Sequence, residues 1–348
     1  MPNYTKKISS LVQTLLRPDK LLLSPIHVQF EPSSRCNQNC LHCEHDKNRK
    51  NPIDTTLDEF KDFYELMKPL YITLNGYGEP LMCKDLPDII SYARDKGTQV
   101  NTTTNGILLK KYAQPLIDSR INLINVSLDA ASEETYSKIR GINTFDKVVE
   151  NIKYFNQLRK ENNSDTLLRL SIVIQQSNMK ELEEFAKLSN ELGADSIIFQ
   201  LIETGFIDYR SSEAVGSMTL QELEQSLHKT ENTLDHLKLK SNIKWLRQNI
   251  ETLWDHHIIL NNKNVRQCWK PWHSIYVTVD GTTRPCCNFV TDDVSFGTIR
   301  NGGKVKEAYN TKKFIAFRKA LSNRKRPHKA CKACVPETIP EILFREKF

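Results

Sequence analysis

Short apolar or alternating runs recur along the first two thirds of the chain, at residues 27–30, 71–74, 99–103, 123–127, 168–174 and 196–200. Each is of strand length and rich in β-branched or aromatic residues, so each reads as a β-strand. Between them the apolar positions take helical spacing, as in Phe145, Val148, Val149, Ile152 and Phe155, or Leu182, Phe185, Leu188 and Leu192. Six strand–helix units in series predict an α/β fold whose parallel sheet is covered by helices, and an open, partial (β/α)6 barrel fits. Thr56-Leu57-Asp58-Glu59 is a capping-box pattern leading into a helix with Leu57, Phe60, Tyr64 and Met67 on one face. Residues 6–16 read as a short amphipathic capping helix, with Ile8, Leu11, Leu15 and Leu16 at helical spacing.

The pattern changes after Glu203. Residues 219–257 read as two polar helices, and beyond them alternating runs flank Asp280-Gly281, a hairpin signal. The expected organisation is an N-terminal helical segment (1–19), a partial barrel (20–205), a helical connection (206–260) and a small C-terminal domain containing the hairpin (261–348).

At 348 residues and 39% hydrophobic, the chain can bury a substantial core. No apolar run approaches the length needed to cross a bilayer, and the N-terminus lacks the apolar stretch of a signal peptide. A soluble, cytoplasmic protein without a membrane partner is expected. In that compartment nine cysteines point to metal ligation rather than disulfides. The net charge is +7, with basic groups at 47–50 and 324–332 that are not interleaved with aromatics. They read as solvated surface, and no nucleic-acid partner is expected.

The candidate chemistry starts at Cys36, Cys40 and Cys43, spaced C-x3-C-x2-C just after the first strand. Such a loop can place three thiolates on three corners of a cubane cluster and leave the fourth iron open to a ligand. A zinc loop is the alternative, although common zinc pairings are C-x2-C or C-x4-C with a second pair downstream. The spacing and its position resemble the signature of the radical S-adenosylmethionine (radical SAM) enzymes, and the resemblance runs from about residue 28 to 334. The family usually has an aromatic residue just before the third cysteine; here it is His42.

In barrels of this kind the site lies on the loops that follow the strands. After the second strand, Asn75-Gly76-Tyr77-Gly78-Glu79-Pro80 resembles the family's Gly-Gly-Glu-Pro motif with Tyr77 inserted between the glycines. The resemblance implies that this loop binds the methionine ammonium of SAM, with Gly76 and Gly78 for close backbone approach and Glu79 as acceptor. By the same resemblance, Asn105 in Thr104-Asn105-Gly106 faces the cofactor, Ser127 and Asp129 reach the ribose or methionine end, and Arg140 pairs with the carboxylate. Residues 172–176 fit the adenine contact, with Gln175 as the polar candidate, and His42 can stack on the ring.

In the C-terminal domain, Cys268 and Cys286 flank the hairpin and Cys331-Lys332-Ala333-Cys334 supplies a second pair. Four such thiolates suit zinc or an iron–sulfur cluster. C-x2-P-W, D-G, P-C-C and C-x2-C in that order resemble the auxiliary-cluster extension of radical SAM enzymes called SPASM, or twitch in its short form. The resemblance implies a second [4Fe–4S] cluster held by Cys268, Cys286, Cys331 and Cys334, with Cys287 as alternative to Cys286. Cys83 reads as a buried apolar residue.

The implied function is reductive cleavage of SAM and abstraction of a hydrogen atom by the 5′-deoxyadenosyl radical from a small-molecule substrate of sugar or aminocyclitol type, ending in oxidation or epimerisation. An oxidoreductase of this kind needs an external one-electron donor such as flavodoxin or ferredoxin. In an epimerase Cys287 would be the hydrogen-atom donor. The alternatives are a peptide-modifying maturase and, in another class, a non-catalytic zinc-binding interaction protein. Replacing Cys36, Cys40 and Cys43 together by Ala is expected to leave a folded protein with about one cluster's worth of iron and no SAM cleavage, as iron analysis and 5′-deoxyadenosine assays would show.

Overall fold

All six expected strands form and lie side by side in chain order: β1 (His27–Phe30), β2 (Tyr71–Leu74), β3 (Gln99–Thr104), β4 (Leu123–Ser127), β5 (Leu167–Ile174) and β6 (Ser196–Leu201), each parallel to the next. The computed structural model describes residues 2–43, 51–204, 213–258, 266–289, 295–299, 308–332 and 334–336. The basic group at 47–50 lies outside them. The chain enters through α1 (Pro2–Leu16), and α2 (Leu57–Met67), α3 (Leu86–Asp95), α4 (Leu109–Asp118), α5 (Glu133–Arg140), α6 (Phe145–Glu161) and α7 (Leu182–Glu191) occupy the strand connections. The capping box of α2 is present in both directions: Glu59 N donates to Thr56 Oγ1 and Thr56 N to the Glu59 carboxylate.

Burial along the strands has period two. Val28 and Phe30, Ile72 and Leu74, Ile124 and Val126, Leu170, Ile172 and Ile174 are fully buried and belong to one core with the helices. The alternate positions are mostly polar, among them His27, Gln29, Thr73, Asn101, Thr103, Asn125, Ser127 and Ser171. A parallel sheet covered on both faces reads as continuous apolar runs. This one is covered by helices on one face only, so its other face can line a polar interior. The side chains there bond across strands: His27 to Thr73 and Ser274, Asn125 to Ser171.

Beyond β6, α8 (Leu220–Leu237) ends at Lys238, whose left-handed backbone stops it, and a two-residue strand β7 (Lys240–Ser241) then pairs with β6 before α9 (Ile243–Gln248) and α10 (Ile250–His257). Two helices were expected in this stretch. The extra strand depends on Asn242, whose amide both donates to and accepts from the Phe199 backbone. The hairpin forms as expected, β8 (Ser274–Val277) and β9 (Thr282–Arg284) turning at Gly281 with φ 79°, a left-handed conformation that favours glycine. Its place is not evident from the sequence. β8 runs parallel to β1 in register, His27 opposite Ser274, and β10 (Gly297–Thr298) adds outside β9. The C-terminal hairpin therefore continues the barrel sheet, which among the described residues has ten strands in the order β10-β9-β8-β1-β2-β3-β4-β5-β6-β7.

α1 forms, but it presents its polar side to the protein. Ser10, Gln13 and Thr14 are buried, while Ile8, Leu15 and Leu16 are exposed. The cause is Gln13, whose amide donates to Leu23 O and Trp272 O and accepts from Leu22 N and Leu23 N. No helix among the described residues is long and apolar enough to cross a membrane.

Toward the C-terminal end, before a single-turn helix at Lys329–Lys332, α11 (Lys312–Ser322) closes an aromatic cluster of Phe289, Phe296, Phe314 and Phe317. Arg318 on this helix is fully buried and donates to Asp19 O, Tyr309 O and Asn310 Oδ1, so one guanidinium joins the two ends of the chain. Arg318→Leu would bury those acceptors unpaired. Its expected cost is roughly 2–4 kcal/mol in a denaturant titration. Arg318→Lys, which keeps the charge but loses the planar fork, should recover only part of it.

Candidate functional site

The strand-end segments singled out in the sequence converge on the loop that carries Cys36, Cys40 and Cys43. Arg35 O accepts from Glu79 N at 2.6 Å, and Asn39 N and Leu41 N donate to Arg140 O and Ile139 O at the end of α5. Asn37 Oδ1 accepts from the Asn105 amide, and Gln38 donates to Tyr136 Oη. Arg35 is in turn tied to Asp54 and to Met82 O. Two glycines allow the approach. A Cβ on Gly78 would lie 2.0 Å from Ser33 O, and one on Gly141, at φ 69°, would lie 2.4 Å from Asn39 O. The loop that carries the three sulfurs is held by backbone contacts to the Glu79 turn and the end of α5 and by side-chain contacts to Asn105 and Tyr136. Cys40 is buried, whereas Cys36 and Cys43 are partly exposed.

Glu79 is buried with both oxygens engaged: Oε1 by Leu81 N and Thr104 Oγ1, Oε2 by Asn105 N. Burial raises its pKa against the pull of those donors. Through it the Gly76-Tyr77-Gly78 loop and the Thr104-Asn105 turn form one unit. Gly76 packs on Glu31, where a Cβ would lie 2.5 Å away.

Asp129, also in the left-handed region, lies at the centre of the other side. Its carboxylate accepts from Val173 N at 2.7 Å, pairs with Arg140 at 2.7 Å and lies 3.6 Å from His42 Nε2. Arg140 Nη1 also faces Gln38 Oε1 and Cys40 Sγ. Burial lowers the Arg140 pKa, Asp129 and Cys40 raise it, and the net shift is upward, so the guanidinium stays charged. His42 is pushed down by burial, only partly offset by Asp129, and is therefore neutral at pH 7. Its Nδ1 lies 3.3 Å from the Gln175 amide nitrogen, while Gln175 Oε1 is buried without a hydrogen-bond partner. Ser127 Oγ lies 3.3 Å from Ser171 Oγ on the inner strand face. The sequence-predicted set Glu79, Asn105, Asp129, Arg140, His42 and Gln175 thus surrounds one loop. Arg140 reaches a carboxylate belonging to the chain itself, Asp129. Cys83 is fully buried and donates to Thr55 O, with burial pushing its thiol up to about 12.

At the C-terminal end the four expected thiols lie within electrostatic reach of one another. Burial and then Cys287, Cys268 and Cys331 raise the Cys286 thiol; burial and Cys268 raise Cys331, to about 12; burial, Glu203, Cys286 and Cys268 raise Cys334. Thiolates that destabilise one another in this way are what a bound cation would neutralise, so the chemistry of the donor set is that of a metal centre. Among the described residues no three His, Cys, Asp or Glu side chains close around a single point as one ion would require. Cys287 is the first of the thiols acting on Cys286; its Sγ donates to Asn288 Oδ1 at 3.3 Å and lies 4.0 Å from Lys270 Nζ.

Several residues here were missed by sequence reasoning. Glu203 follows β6 directly; its carboxylate accepts from Asn288 at 3.3 Å and lies 3.9 Å from the buried His257. Applied after β6, the strand-end rule would have found Glu203. No sequence signal marked His257 or Glu31. Glu31 accepts from Tyr77 N and from Val279 N, fastening the end of β1 to both the glycine loop and the C-terminal hairpin. Tyr276 beside it is buried with no hydrogen-bond partner at its hydroxyl.

A family model described as the radical SAM superfamily matches residues 30–189, and SPASM, an iron–sulfur cluster-binding domain, matches residues 268–335. The mycofactocin maturase MftC of Mycolicibacterium smegmatis is 28% identical over 186 residues, covering 52% of this chain and 46% of its own. The AdoMet-dependent heme synthase of Methanosarcina barkeri is 32% identical over 190 residues, covering 52% of each. The chain thus spans about half the length of the curated relatives it matches. Among solved structures, Streptococcus suis SuiB bound to precursor peptide SuiA superposes with a TM-score of 0.67 at 15% identity, over 98% of this chain and 77% of its own, a likeness of fold. The two matched domains imply SAM and two [4Fe–4S] clusters as cofactors.

Asp129 and Arg140 form a buried pair, so removing either leaves the other uncompensated. Asp129→Ala and Arg140→Ala are each expected to cost about 3–5 kcal/mol, and the double variant clearly less than their sum. Chemical denaturation of all three variants checks this, and additive losses would mean that the pair is not coupled.

Proposed function

Since the chain belongs to the radical SAM superfamily and ends in a SPASM domain, we propose that it oxidises or epimerises a small polar substrate of sugar or aminocyclitol type after abstracting a hydrogen atom from carbon. In this reading Cys36, Cys40 and Cys43 hold the first cluster, and Cys268, Cys286, Cys331 and Cys334 the auxiliary one. Gly76, Gly78, Glu79, Asn105, Ser127, Asp129, Arg140, His42 and Gln175 form the SAM side. When bound, SAM and the first cluster supply the hydrogen-abstracting radical, and the auxiliary cluster supplies an electron acceptor. Glu79 and the glycine loop orient the methionine end. Arg140, held by Asp129, places positive charge beside Cys40.

The observation that carries the substrate class is the polar inner face of the sheet, which leads to Glu203, Asn288, Lys270 and Cys287 beside the auxiliary thiols. Hydroxyl and amino groups would find donors and acceptors there, whereas an apolar substrate would leave them unpaired. The likeness to MftC and to peptide-bound SuiB favours a second reading, modification of a precursor peptide. Flavodoxin or ferredoxin would supply the electron, in the cytoplasm.

The test is to incubate reduced, reconstituted protein with SAM and deuterated pools of aminocyclitols, sugars or precursor peptides, and to read deuterium in 5′-deoxyadenosine. Transfer from an aminocyclitol or sugar is expected; transfer from peptides alone would replace the first reading by the second. Cys287→Ala should retain both clusters and hydrogen abstraction. If the reaction is an epimerisation quenched by Cys287, that variant yields an oxidised product; an unchanged product removes Cys287 from the reaction.

A further inference from the structure

Of the ten large apolar side chains exposed among the described residues, seven lie between Tyr4 and Leu23, with Tyr4, Leu16 and Leu22 exposed by 71%, 76% and 81%. They are not scattered. Tyr4, Ile8, Val12 and Leu15 follow one another at helical spacing along the outer side of α1, and Leu22 and Leu23 continue the same surface from the segment that follows. A contiguous exposed apolar surface of this kind marks an interaction site.

The outward orientation is built in. Four hydrogen bonds of Gln13 fix the polar side of α1 to Leu22, Leu23 and Trp272. Lys6 donates to Lys68 O, and Lys7 lies over the Tyr71 ring. The contacts at Trp272, Lys68 and Tyr71 all adjoin the first residues of β8 and β2, so α1 crosses the N-terminal ends of the strands. The loops that carry the site lie at the opposite ends.

We propose that the outer side of α1, together with Leu22 and Leu23, docks the protein on an anionic phospholipid surface. The electrostatics select this occupant. No Asp or Glu occurs before Asp19, whereas Lys6, Lys7, Arg17 and Lys20 all lie in or next to the helix. On the adjoining surface Lys68, whose carbonyl accepts from Lys6, shares Glu65 with Lys96, so two lysines there face one carboxylate. The exposed side chains are aliphatic apart from Tyr4, and they stand on a convex helix flank. That flank suits insertion into the soft headgroup boundary, whose lipid phosphates the net positive charge of this end of the chain attracts. A protein interface would instead be expected to centre on aromatic and arginine anchors. This docking departs from the expectation from the sequence that the chain has no membrane partner. The site would open away from the bilayer, toward a water-soluble substrate and electron donor.

Flotation of the reconstituted full chain with vesicles tests this. Binding to phosphatidylcholine vesicles doped with phosphatidylglycerol should exceed binding to pure phosphatidylcholine by at least roughly tenfold and weaken with added salt. Leu16→Glu and Leu22→Glu, both at highly exposed positions, should each reduce that binding by about tenfold with iron content and Tm unchanged. Absence of binding to the anionic vesicles overturns the proposal. So does a wild-type dimer in sedimentation velocity that Leu16→Glu converts to monomer, because a second copy of the chain would then cover the face.

Discussion

The arrangement depends on one constraint: three sulfurs on a short loop must be held in place by a loop with almost no apolar anchor of its own. The chain meets it with backbone. Carbonyl and amide groups between Arg35 and Leu41 bond to the start of the Glu79 turn and to the end of α5, and side chains of Asn37 and Gln38 reach Asn105 and Tyr136. Close approach is possible only because Gly78 and Gly141 lack a Cβ where Ser33 O and Asn39 O sit. Gly78 and Gly141 are thus a packing requirement of the cysteine loop.

A second consequence follows from covering the parallel sheet on one face only. The helices bury Val28, Ile72, Ile124 and Ile172, and the stability of the barrel resides mainly in that layer. The opposite face is released from the hydrophobic requirement and carries His27, Thr73, Asn125 and Ser171, with hydrogen bonds across strands from His27 to Thr73 and from Asn125 to Ser171. Polar groups placed there cost little while they are paired or wet, and they can exchange those bonds for bonds to a polar ligand. Stability and recognition are assigned to opposite faces of the same strands.

The C-terminal hairpin is rigidly related to the barrel because β8 shares a ladder with β1. Glu31 strengthens the junction, one carboxylate receiving an amide from the glycine loop and another from Val279. Arg318 and Asn310 do the same between the far C-terminal helix and residues 19–21. The loop with Cys36, Cys40 and Cys43 and the hairpin flanked by Cys268 and Cys286 are therefore joined through one continuous sheet.

The sequence by itself determined what depends on neighbours along the chain. Strand positions, the Thr56–Glu59 cap, the Gly281 hairpin and the two cysteine sets were legible because periodicity, turn chemistry and ligand spacing are local properties. The family resemblance further singled out Glu79, Asn105, Asp129 and Arg140, which the fold brings together around the cysteine loop. Only the tertiary structure decided what depends on which surfaces meet. It paired Arg140 with Asp129, joined β8 to β1, and placed Glu203 and His257 beside the auxiliary thiols. It also turned the apolar side of α1 outward, where periodicity alone implies burial. There the four hydrogen bonds of a single glutamine, made to backbone groups ten and 259 residues away among others, outweighed the amphipathic pattern.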